Sequence, residues 1–146
     1  MFNTKLLLPV LAAFAVMTLP AAADAGAISL AATGGLEPGL WQLQGDGGAP
    51  RKICVSDPGA LVQIRHVNAP CSRLVISNER HSATVHYSCP GMGWGRTTLK
   101  VVTPRSVTIE TQGIADNAPF AFTADARRMG DCPTRSASLN RSMTGR

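Results

Sequence analysis

The sequence predicts a mainly β protein: a curled antiparallel sheet of about six or seven strands in a meander, with one short helix and two disulfides. Three observations support this. After residue 71, apolar and polar residues alternate, as at Phe120, Phe122 and Ala124, which is the period of a strand with one buried face. Turn residues separate these stretches. Four cysteines form an even set, which indicates disulfides in an exported chain.

Residues 1–25 have the layout of a secretory signal peptide. Lys5 precedes an apolar run at 6–19, and small residues follow with cleavage expected after Ala23 or Ala25. The run is shorter than the ~20 apolar residues that cross a bilayer, so we expect no transmembrane span. A permanent N-terminal anchor is the alternative. The prediction is a periplasmic or secreted protein.

A single β-rich domain is expected over residues 36–133. Before it, residues 26–35 lack polar anchors and end in two glycines, which predicts a flexible leader. The domain begins with a strand around Trp41. The glycine-rich stretch at 45–50 predicts a hairpin loop, and the next strand covers 51–55.

One short helix is predicted after the second strand, over residues 57–65. Asp57 can cap its first turn, and Pro58 suits the first helical position, where a backbone N–H is not needed. Its apolar residues are expected to cover an open face of the sheet. They are Leu61, Val62 and Ile64.

The rest of the domain is predicted to be a meander of five strands. They cover residues 72–78, 82–89, 95–102, 106–112 and 119–129. One side of the sheet should hold the core, because alternate residues of a strand face the same side. The expected core residues are Trp41, Leu74, Ile76, Val85, Tyr87, Leu99, Val101, Val107, Ile109, Phe120 and Phe122.

The meander also predicts the cysteine pairing. Cys71 and Cys89 fall at one end of the sheet, whereas Cys132 falls a strand length away, roughly 20–30 Å at ~3.3 Å per residue. Bonded cysteines need Cα atoms within about 7 Å, so only Cys54 is left for Cys132. The expected core places Cys71 one residue out of line with Cys89, which a bulge after Pro70 would absorb.

Other chemistry for these side chains has little support in the sequence. Zinc and thioredoxin-like redox sites typically use C-x-x-C pairs, and the chain contains none. The histidines, with His81 and His86 expected to face solvent, are not spaced with partners for a metal. We therefore expect no metal and no cofactor. A Ser-His-Asp triad stays open because it is defined in space.

The stretch CPGMGWGR at 89–96 places glycines at every second position. A dinucleotide fingerprint needs a helix after its glycines, whereas strand residues follow here, so we predict a turn. Trp94 has two interpretations. It packs across the neighbouring backbone, which we favour because tryptophan is highly buried on average, or it stands out with Arg96 as a partner contact.

Charge is concentrated at the C-terminus. The formal net charge is +5, and residues 134–146 contain Arg135, Arg141 and Arg146 but no acid. This polar stretch predicts a basic disordered tail. One basic run in an exported chain makes nucleic acid a poor candidate partner.

Taken together, several short motifs resemble a known family. Their order is similar to that of domain-of-unknown-function family 3617, small exported bacterial proteins, over residues 36–133. The motifs are Pro38–Trp41, Ile53–Pro58, Cys71, Tyr87–Gly91 and Ala126–Pro133. The resemblance implies an exported β domain and assigns no catalytic residue.

Three hypotheses for the function follow. The first is a non-catalytic binding module of the bacterial envelope, which holds an apolar or anionic small ligand on the concave or exposed face of the sheet. The second is an inhibitor or assembly factor that binds an envelope protein through the Pro90–Arg96 loop. The third is a small hydrolase. Binding is favoured over catalysis, because no set of residues with a catalytic spacing stands out.

Overall fold

The computed structural model describes residues 29–45 and 48–134, and in it the chain forms one seven-stranded antiparallel sheet. The strands are β1 (Gly39–Gly45), β2 (Arg51–Val55), β3 (Ser72–Asn78), β4 (Ser82–Cys89), β5 (Gly93–Thr103), β6 (Ser106–Ala115) and β7 (Ala118–Gly130). Two 3-10 helices accompany them, Ala31–Thr33 and Pro58–Gln63. The predicted fold class is confirmed. The predicted signal peptide lies outside the described residues, as does the predicted tail apart from Thr134.

Strand order in the sheet is β2-β1-β7-β6-β5-β4-β3, so among the described residues the sheet is open, with β2 and β3 at its edges. The five strands from β3 to β7 form the predicted meander, and the β1–β2 hairpin joins it through β1 and β7. Strands β5 and β6 are longer than predicted because their pairing continues to Gly93 and Ala115. Within the described ranges, no helix has the length and apolar character needed to span a membrane.

The core lies on one face of the sheet, here called the inner face, and both 3-10 helices pack against it. Most of the expected core residues are buried there. These are Trp41, Val85, Tyr87, Leu99, Val107 and Ile109. Val101 and Phe122 are partly buried against them. Leu74 and Ile76 are 65% and 47% exposed, so their assignment to the core was wrong.

The pairing of β3 with β4 explains that error. On β3 and β4, Val75 pairs with Val85, and a bulge lies between Val75 and Ser77. Val75 therefore faces the core in place of its two neighbours. In the same register, Cys71 falls directly opposite Cys89, because Ser72 pairs with Ser88. The predicted offset and the bulge after Pro70 are accordingly absent.

Both predicted disulfides are confirmed. Cys71 bonds Cys89 with Cα atoms 4.2 Å apart, which joins the start of β3 to the end of β4. Cys54 bonds Cys132 with Cα atoms 5.5 Å apart, which joins β2 to the segment that follows β7. β1 lies between β2 and β7 in the sheet, so the segment after β7 crosses the start of β1 to bring Cys132 beside Cys54.

Part of the predicted flexible leader belongs to the folded domain. Leu30 and Ala32 are each only 3% exposed, and the short helix that contains Ala32 packs against β4 and β5. The backbone N–H of Ala31 donates to Oδ1 of Asn78 at 2.7 Å. These apolar side chains cover core residues that would otherwise face solvent. Residues 29–35 are therefore part of the packed domain, and the prediction that they form a flexible leader was wrong. Residues 26–28 lie outside the described part.

Candidate functional site

The two faces of the sheet differ in chemistry. The inner face is filled by core side chains, including Trp41 and residues of the second 3-10 helix such as Leu61 and Val62. The opposite face, here called the outer face, carries mainly polar residues and a few exposed apolar ones. We therefore look for ligand contacts first on the outer face, because core side chains occupy the inner one.

The glycine-rich stretch forms the turn between β4 and β5, as predicted. Gly91 and Gly93 have φ of 74° and 119°, which other residues seldom adopt. The N–H of Met92 donates to the carbonyl of Cys89 at 3.0 Å and closes the turn. Strand β5 starts directly after it.

Tyr87, and not Trp94, lies across the glycine backbone. Tyr87 pairs with Gly95, and a Cβ atom at Gly95 would run into the ring and hydroxyl of Tyr87. This aromatic cover of a sheet glycine occupies the inner face. The preferred interpretation of Trp94, packing across the backbone, is therefore wrong. One position away from Gly95, Trp94 points to the outer face and is 39% exposed.

Trp94 stands beside a second ring on the outer face. The His86 ring lies with its centroid 5.5 Å from that of Trp94, and the two planes are tilted by 31°. Arg96 is exposed two residues further along β5, and it pairs with His86 on β4 and with Gln112 on β6. The structure thus brings Trp94 and Arg96 together on one face. Their role as a partner contact stays a prediction.

A polar groove of about 450 Å³ begins at Arg96 and runs over strands β5, β6 and β7. We call it the outer groove. Its lining residues are Arg96, Thr98, Glu110, Thr111, Gln112, Ala121, Phe122 and Thr123. Glu110 accepts a 2.6 Å hydrogen bond from Lys100, with both side chains about half exposed. Within the described chain Arg96 has no ion-pair partner, so its charge is available to a ligand.

His66 is a buried histidine whose role the sequence did not reveal. It is 4% exposed, and its Nε2 lies 3.1 Å from the carbonyl oxygen of Met92. Its Nδ1 lies 3.2 Å from the Tyr87 hydroxyl. A carbonyl can only accept, so Nε2 carries the proton; in the neutral ring Nδ1 then accepts from Tyr87. The histidine therefore holds the turn of Met92 against the core.

Tyr87 is the other half of this buried pair. Burial raises the pKa of its phenol, while a hydrogen bond with Thr111 and the charges of Arg65 and Arg73 act in the opposite direction. A raised pKa favours the neutral hydroxyl, which is the form that donates to His66. The hydroxyl of Thr111 in turn bonds that of Thr97 at 2.8 Å.

The remaining histidines lie apart from this pair. His81 is exposed in the turn before β4, as expected, whereas His86 is half-buried against Trp94. Across the described chain, no three metal-ligating side chains come together.

Comparisons with protein-family models, with curated proteins and with solved structures find no match for this chain. The resemblance to domain-of-unknown-function family 3617 stays a prediction, and the function has to be argued from the outer face itself.

Proposed function

We propose that this protein is an exported binding module of the bacterial envelope, which contacts its ligand through the outer face around Trp94 and Arg96. The observation that carries the proposal is a tryptophan ring 39% exposed on the face opposite the core, beside an arginine that has no ion-pair partner among the described residues. Tryptophan is highly buried on average, and aromatic and arginine side chains dominate binding hot spots.

Export is part of the proposal. Residues 1–25 have the layout of a signal peptide, and both disulfides are of the kind that persists in oxidising compartments. A periplasmic or secreted location and membership of family 3617 fit this interpretation together.

The site is built for binding with little rearrangement. Trp94 and Arg96 stand on β5, which is paired along its length with β4 and β6. The turn before them is held by the Cys71–Cys89 bridge and by the contact between His66 and Met92. Side chains ordered before binding lose less entropy when the ligand arrives.

A protein partner is the second candidate. Met92 is 48% exposed at the tip of the Pro90–Arg96 loop, next to Trp94. Methionine and tryptophan are both enriched at protein interfaces, so the loop suits an inhibitor or assembly factor.

Capture from an envelope extract tests the proposal. The immobilised mature protein is compared with Trp94→Ala, Arg96→Ala and the control Val102→Ala, which removes an exposed apolar group from the same strand. We expect both site variants to lose captured material and the control to keep it. Circular dichroism confirms that each variant is folded. Equal capture by all four proteins would contradict the proposal, and loss of capture after protease treatment of the extract would favour the protein partner.

A further inference from the structure

The outer face presents one continuous row of side chains beside Trp94. Register partners on five neighbouring strands form it: Leu74, His86, Arg96, Gln112 and Ala121. At ~4.8 Å between strands the row is roughly 19 Å long. The site is therefore extended and shallow, which suits a chain-like ligand better than a compact one.

Two kinds of surface meet in this row. Trp94, which stands beside the row on β5, and His86 offer neighbouring ring surfaces whose planes are tilted by 31°. The outer groove, which begins at Arg96 in the middle of the row, offers the donors of Arg96, the acceptors of Glu110 and the amide of Gln112, which does both. A purely apolar ligand would bury these polar groups without hydrogen-bond partners, which is unfavourable.

We infer that the ligand of this surface is an acidic oligosaccharide, with a sugar ring on Trp94 and a carboxylate on Arg96. The inference rests on the proposed function, because it names the ligand class of the same site. A sugar ring has an apolar C–H face that packs on an aromatic ring. Its rim of hydroxyls donates and accepts hydrogen bonds, so it satisfies donors and acceptors together.

Charge selects the acidic form. Glu110 is paired with Lys100 at 2.6 Å, which leaves the positive charge of Arg96 uncompensated among the described side chains. The guanidinium fork matches a carboxylate through two parallel hydrogen bonds.

Direct binding measurements test the inference. A glycan array carries neutral, N-acetylated and uronate-bearing oligosaccharides, and titrations use oligogalacturonate and its methyl ester, which differ in charge. We expect uronate binding to weaken at least tenfold in Trp94→Ala and Arg96→Ala. The controls Val102→Ala and Arg80→Ala, both at exposed positions, should bind like the wild type. The methyl ester should bind at least tenfold more weakly than the acid.

Fluorescence locates the sugar. Trp41 is fully buried and Trp94 is exposed, and they are the only tryptophans, so acrylamide quenching in the folded protein reports mainly on Trp94. Oligogalacturonate should protect this fluorescence in the wild type.

Each other outcome overturns the inference. These outcomes are an array on which no uronate is bound, uronate binding that is unchanged in Trp94→Ala, Trp94 fluorescence that oligogalacturonate does not protect from acrylamide, or equal affinities for the methyl ester and the acid. If the array shows no binding but capture from the extract still depends on Trp94, the saccharide inference is wrong and the proposed function stands. If the array shows no binding and capture does not depend on Trp94, both the inference and the proposed function are wrong.

Discussion

At the scale of the residue, Tyr87 makes more of the contacts that hold the fold together than Trp94 does. Its ring fills the space above Gly95, where any side chain would collide with it. Its hydroxyl holds His66, and His66 holds the turn that presents Trp94. One buried phenol thus connects the core to the candidate site on the opposite face.

This arrangement predicts how stability depends on alkaline pH. The folded-state pKa of Tyr87 is raised by burial, so its contribution to the free energy of unfolding is fully present below the unfolded pKa of about 10. It is lost as the pH rises through the folded pKa. Tyr87→Phe should lose this part of the alkaline fall, and at neutral pH should cost about 1–3 kcal/mol because Nδ1 of His66 loses its donor.

Denaturant unfolding of both proteins across alkaline pH measures the difference. Tyr87 is the only tyrosine, so tyrosinate absorbance reports its ionisation directly. Ionisation near pH 10 in the folded protein, or identical pH curves for the two proteins, would contradict the prediction.

At the scale of the element, the second 3-10 helix shows what local sequence can predict. Asp57 and Pro58 predicted its start, and Oδ1 of Asp57 does accept from the N–H of Gly59 at 2.9 Å. The helix then places Leu61 and Val62, both fully buried, against the sheet. It is a 3-10 helix of six residues, Pro58–Gln63.

Asp57→Ala should therefore destabilise the protein by about 1 kcal/mol, the usual cost of losing a helix cap. Asp57→Asn keeps an acceptor oxygen and should stay within about 0.5 kcal/mol of the wild type. The free energy of unfolding in guanidinium gives both values. An alanine variant as stable as the asparagine variant would show that the cap is unimportant.

The elements also show where sequence patterns fail. Alternation identified the strands and most core positions, because the strands have one buried face. It wrongly assigned Leu74 and Ile76 to the core, because alternation does not say which of its two sets of residues faces inward. Leu74 pairs with His86 on the outer face and Val75 pairs with the buried Val85. His66 lies outside any strand, and its burial depends on a contact with Tyr87 that no local pattern encodes.

The candidate site was predictable in part for the same reason. Trp94 and Arg96 share a face because residues two apart on a strand point the same way. The face on which Trp94 and Arg96 lie is opposite to the one where Tyr87 covers Gly95. That contact follows from the pairing of Tyr87 with Gly95 across two strands, which local sequence does not show. Glu110 and Gln112 join the groove through the β5–β6 register, which the sequence alone did not specify.

At the scale of the whole molecule, the sheet is a single open layer with two edges, β2 and β3. Unpaired edges are weak points of a sheet, and each carries a disulfide. The Cys54–Cys132 bridge holds β2, and the Cys71–Cys89 bridge holds the start of β3. The predicted pairing was right because the order of an antiparallel meander determines which strand ends meet.

The two bridges should differ in their contribution to stability. They close loops with sequence separations of 78 and 18 residues, and in the chain-entropy model these closures stabilise by about 4.5 and about 3 kcal/mol.

The variant Cys71→Ala/Cys89→Ala keeps only the long loop, and Cys54→Ala/Cys132→Ala keeps only the short one. Reducing the bridge that remains leaves both of its sulfur atoms in place, so the measured loss excludes any cavity created by the substitutions. Unfolding in guanidinium, with and without reductant, should show a loss larger by about 1.5 kcal/mol for the variant that keeps Cys54–Cys132. Sucrose, which strengthens burial, keeps the weaker reduced forms measurable. An equal loss, or a larger one for the short loop, would mean that native contacts at the β3 edge outweigh loop length.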